Sequence, residues 1–120
     1  MKPLDVRIAD AFGDTTSSDA VAALIKEVEA AASEASLRAD EARARALDPA
    51  LSLDTVASAR REMEDAAFSR DRMGAAADRL TGRLKEVRRA EEDRRRQAAY
   101  DEVKAERDKV AEEIAISTRR

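Results

Sequence analysis

From Val56 to Val87 the chain repeats apolar residues at alternating spacings of three and four: Val56, Ala59, Met63, Ala66, Met73, Ala77, Leu80, Leu84 and Val87, with Arg70 the one polar member. This is a coiled-coil seam, a single apolar stripe on a helix whose other faces carry Arg, Glu and Asp. A second seam comes before it, made of Val21, Ile25, Val28, Ala32, Ala35, Ala39, Ala42 and Ala46. Its large residues stand at the beginning and alanines fill the rest. Alanine removes little apolar area from water, so that half of the seam gains mainly by letting two helix backbones approach closely.

The ends of these helices carry their own signals. Ser17 or Ser18 can accept the free amide hydrogens of the following turn, and Asp19 sets negative charge at the positive end of the helix dipole. Asp48-Pro49 stops the first long helix, because proline disfavours helical geometry in the residue before it and lacks an amide hydrogen. Ser52 caps the next helix, with Leu51 and Val56 placed to staple its entry. From there to about Ser117 there is no proline, and Gly74 and Gly82 are only weak points. One helix of ~65 residues, about 100 Å long, is therefore predicted.

A connection this short between long amphipathic helices predicts an all-α fold: an antiparallel helical hairpin, or coiled coil, of one short and one long helix. The hairpin spans residues 17–118 with its bend at 48–52, and folding back near residue 50 sets Val21 beside about residue 79. Residues 1–16 form an N-terminal segment. There, Pro3 and Gly13 bracket Leu4, Ile8, Ala11 and Phe12 on one helical face, which predicts a short N-terminal helix followed by a polar linker. Leu4, Val6 and Ile8 also alternate as in a strand, but a lone strand lacks a partner to pair with. Phe12, Ile8 and Leu4 are the upstream residues expected to cover Leu80, Leu84 and Val87.

Beyond Ala90 the seam fails at Glu91 and Arg94, then resumes in another phase at Tyr100, Val103, Val110 and Ile114. Nothing else in the chain is left to cover that stripe. Phe68 lies on a neighbouring row with Ala75 and Gly82, beside a second row of Ala67, Gly74 and Thr81. Small residues there would let another helix come close with Phe68 as its anchor. The alternative is that Phe68 leans on the flank of the first long helix. Phe68, Ala75, Gly82, Tyr100, Val103, Val110 and Ile114 are accordingly the candidate partner-binding residues.

Charge adds two questions. Arg70, alone in its seam, must reach water along its own aliphatic stem or meet a carboxylate, for which Glu27, Glu29 and Glu34 are the candidates. The tract Arg88 to Arg96 could release counterions from a nucleic-acid backbone. It also holds Glu91, Glu92 and Asp93, at spacings of four from arginines that could neutralise them along the helix. With an acidic chain (net charge −3) and no interleaved aromatics for base stacking, nucleic acid is the weaker reading.

Composition narrows the rest. Charged residues are 41% of the 120 and apolar ones 43%, with two Phe, one Tyr and no Trp, the profile of amphipathic helices rather than a thick globular core. There is no cysteine and no histidine, which removes disulfides, thiolate and imidazole metal sites and the usual nucleophile–base pairs. Gly13, Gly74 and Gly82 are isolated, so no glycine-rich phosphate loop forms. The expectation is a protein that is not an enzyme and takes no cofactor or metal. No apolar run approaches the ~20 residues of a membrane span, and Asp5, Arg7 and Asp10 interrupt any signal-peptide core, so a cytoplasmic protein without membrane association is expected. Arg outnumbers Lys 18 to 5 and Ala is abundant, as in chains from GC-rich bacterial genomes and their phages.

The stretch Ala44 to Asp71, with Arg45-Ala46-Leu47-Asp48-Pro49 at the bend and Asp65-Ala66-Ala67-Phe68 after it, resembles small uncharacterised helical proteins of alphaproteobacteria and their prophages. The resemblance implies no function and no functional residue. The function expected from the residues is a coiled-coil interaction or structural module. It would act by homo-oligomerisation or by binding a partner protein, with nucleic-acid association through Arg88–Arg96 as the alternative.

Overall fold

The computed structural model describes residues 2–118, and among them every regular element is a helix: α1, Leu4–Asp10; α2, Ser18–Ala46; and α3, Leu53–Thr118. Residues up to Lys85 make one compact unit and those from Glu86 onward a second, with α3 running through both. In the first unit α2 and α3 pack together as the expected hairpin.

The short segment at the start is helical, not extended. Pro3 enters at φ −56°, and its carbonyl accepts the Arg7 amide at 3.1 Å. A proline at this point loses nothing, since its missing amide would have had no partner inside the helix. After Asp10 the Ala11 and Phe12 amides turn back to carbonyls of α1, and Gly13 donates to the Asp10 carbonyl at 3.0 Å. A side chain at Gly13 would stand 3.2 Å from that same oxygen, so the tightness of this turn selects glycine there.

Ser17, not Ser18, caps α2. Its backbone is extended, and its Oγ accepts the Ala20 amide at 3.2 Å. At the other end the chain leaves the helix through Leu47, and the Asp48 carboxylate accepts the Ala50 amide at 2.9 Å, closing a side-chain turn at Pro49. Ser52 opens α3 by accepting the Thr55 amide at 3.3 Å, while its hydroxyl also meets the Thr55 hydroxyl at 2.9 Å. The bend is thus spelled out by three side chains, Asp48, Pro49 and Ser52. Across it, Arg45 of α2 is ion-paired to Glu62 of α3.

The core follows the two seams. Every member of the series from Val56 to Val87 is buried or half-buried, Arg70 included, and Leu80 is fully sealed. On α2, Val21, Val28, Ala35, Ala39 and Ala42 are buried, with Val21 and Val28 fully so. The seam members Ala32 and Ala46 are half-buried, and the α2 pattern departs further from expectation near its start. Leu24 is buried and Ile25 only half-buried. Leu24 shares a groove with Arg7, Asp10 and Ala11, so α2 has two neighbours here and its covered face is wider than a two-helix seam. Among the described residues no polar or charged side chain is buried.

Candidate functional site

The sequence points to one contact surface on each compact unit, and each is described from its own residues. In the first unit, Phe68 projects from α3 with 70% of its surface exposed. Most of the ring is therefore open to solvent. Ala75 and Gly82, one and two heptads on, are exposed as well. A Cβ built on Gly74 or Gly82 would meet nothing within 4 Å, so the glycines are not required by any contact inside the chain. This face of α3 is narrow and lightly clothed, with one aromatic ring at its upstream end.

In the second unit, all residues from Glu92 to Ser117 are exposed. Tyr100, Val103, Val110 and Ile114 lie 63%, 54%, 49% and 61% open, and Ile116 joins them. Spacings of three, seven and four put Tyr100, Val103, Val110 and Ile114 on one stripe of the helix, with Arg107 filling the remaining position. The helix is held along its surface by its own side chains: Arg96 to Glu92 at 2.6 Å, Arg96 to Asp93 at 4.0 Å, and Gln97 to Asp101 at 3.0 Å. Charge in the arginine tract is therefore partly spent within the helix.

Arg70 takes the outward course. Its Nε donates to Asp71 at 3.1 Å, on the adjacent residue, and the side chain stays 42% exposed. It does not meet Glu27, which instead receives two bonds from Arg7, one of them at 3.2 Å. The Arg7 guanidinium, chiefly by donating to it, holds the Glu27 carboxyl below the ordinary carboxylate value, and Arg7 is raised in return. Cross-helix ion pairing exists here, but it lies at Arg7–Glu27, Arg45–Glu62 and Asp5–Arg72 rather than at the polar seam position.

Sequence reasoning passed over several exposed apolar residues. Leu37, Leu47 and Leu53 stand open on the hairpin, the last two flanking the bend, and Ile116 lies near the end of the described chain. The available signal was phase: Leu37 falls between the seam positions Ala35 and Ala39, and Leu47 and Leu53 lie outside both seams. A groove lined by Arg38, Glu41, Arg45, Glu62 and Asp65 runs between α2 and α3, with both arginines on the α2 side. Among the described residues no group of three or more acidic side chains is placed to hold a metal ion. No described helix is long and apolar enough to cross a membrane. No family model, no curated protein and no solved structure matches the chain.

Proposed function

We propose that the chain is a coiled-coil interaction or structural module, without enzymatic activity, that self-associates or docks on a partner protein. The observation that supports this reading is the stripe Tyr100, Val103, Val110 and Ile114, which keeps about half or more of its surface in water. A helix that repeats apolar residues at seam spacing while facing water on every side has the pattern of an unfilled coiled-coil position. Phe68, with the small residues Ala75 and Gly82 beside it, supplies a second and weaker surface on the hairpin.

Nucleic-acid association through Arg88–Arg96 stands second, because the Arg96 pairs with Glu92 and Asp93 show the tract answering its own charge. A cytoplasmic location and an origin in an alphaproteobacterial genome or prophage belong to the same proposal. Light scattering over a concentration series tests the main reading: mass should rise above that of one chain. A mass that stays at one chain throughout would remove self-association and leave docking on another protein, to be sought through the same stripe.

A further inference from the structure

The N-terminal helix rests on the hairpin through apolar residues that are only partly covered. None of its residues from Leu4 to Asp10 is buried, and in this segment only Ala11, just past the helix end, is. Phe12 is 41% exposed and lies under the Arg79 guanidinium, 5.4 Å from ring centre to cation, rather than in the core. Leu4 and Ile8 are half-buried, and the attachments beside them are polar. Arg7 pairs with Glu27 of α2, and Asp5 faces Arg72 of α3 at 3.8 Å. Arg83 donates to the carbonyls of Ala11 at 3.0 Å and Gly13 at 2.8 Å. Beside these anchors Leu24 of α2 is buried and shares a groove with Arg7, Asp10 and Ala11.

We propose that α1 is a releasable strap, clamped largely by charged and polar contacts against the first turns of α2, whose detachment uncovers the Leu24 surface while α2 and α3 stay paired. A helix of seven residues is too short to persist once undocked. Exposed ion pairs hold weakly and are screened by salt, whereas the burial that joins α2 to α3 is not. The two attachments therefore respond differently to ionic strength. The strap is a built-in means of switching an apolar patch between covered and open, and it is independent of whether the Tyr100 stripe drives assembly.

Hydrogen exchange on the full chain at about 0.05 M and about 1 M sodium chloride tests it, since the screening length falls from roughly 14 Å to about 3 Å over that range. Amides from Arg7 to Gly13 should lose protection by about tenfold or more in high salt while those of Val28 to Ala42 hold theirs. The variant Arg83→Gln should give the same local loss at low salt, and trypsin should then cut after Arg7 ahead of any site in α2. Protection in α1 that ignores salt in the native chain, or that falls together with α2, would overturn the strap.

Discussion

Arg7 and Glu27, twenty residues apart, join α1 to α2 by two parallel hydrogen bonds from one guanidinium to one carboxylate. The Glu27 carboxyl is depressed in the folded chain, so its contribution is fully present above the ordinary carboxylate range and disappears as the pH falls through its lowered folded-state value. Arg7 is raised, and its contribution would be lost only in strong alkali. Glu27→Gln should therefore be slightly less stable than the native chain at neutral pH and equal to it in acid. Thermal melts of the two proteins at pH 7 and in acid check this, and a difference that persists unchanged in acid would show that the pair titrates nothing.

Much of the hairpin was legible because two-helix packing leaves a regular trace. The spacing from Val56 to Val87 and the signals Ser17, Asp48-Pro49 and Ser52 all became the structural features they implied. The third helix was itself expected from Pro3 and Gly13, but what the pattern could not carry was where it lies against α2. Leu24 is covered in place of Ile25 because α1 lies alongside, and a seam rule written for two partners has no position for it. Arg70 was legible as an anomaly but not in its outcome. A long flexible side chain at a half-covered position can swing outward along its own stem, and here it bonds Asp71 on its own helix. For the candidate surfaces, periodicity identified residues left over after the seams were filled.

The division of the α2–α3 core into large and small residues sets opposite responses to substitution. Leu80 is fully sealed, so Leu80→Ala should cost about 2–5 kcal/mol through lost transfer energy and the cavity left behind. Ala35 is sealed too, but by close backbone approach, and Ala35→Leu should cost about 1–3 kcal/mol through overpacking. Leu53, almost wholly exposed, should tolerate Leu53→Ala within about 0.5 kcal/mol. Urea unfolding at unchanged slope measures all three. An indifferent Leu80→Ala would mean that α3 is not held by the seam.

Arg88, Arg89, Arg94 and Arg95 are exposed along α3, as a phosphate-binding face would require, but acids at matching spacing share that surface. Labelled duplex DNA and single-stranded RNA titrated at about 0.05 M and 0.2 M salt should show no salt-sensitive binding, where a face making six or more phosphate contacts would lose on the order of a thousandfold in affinity. A steep salt dependence, abolished by Arg94→Gln with Arg95→Gln, would promote the arginine tract from second reading to first.

Gly82 and Phe68 separate helix stability from association on the same face of α3. A Cβ at Gly82 meets nothing within 4 Å, so Gly82→Ala should stabilise the isolated chain by about 0.8–1 kcal/mol, the ordinary gain of removing glycine from a helix interior. Phe68→Ala removes an exposed ring and should leave the far-ultraviolet helix signal unchanged. If copies meet on this face, Phe68→Ala weakens association, and Gly82→Ala weakens it too while raising the melting temperature, because the added methyl stands where a neighbouring backbone would pass. Light scattering and thermal melts on both variants read the two effects apart. Association untouched by either substitution would confine self-assembly to the Tyr100 stripe and leave Phe68 an ordinary surface residue.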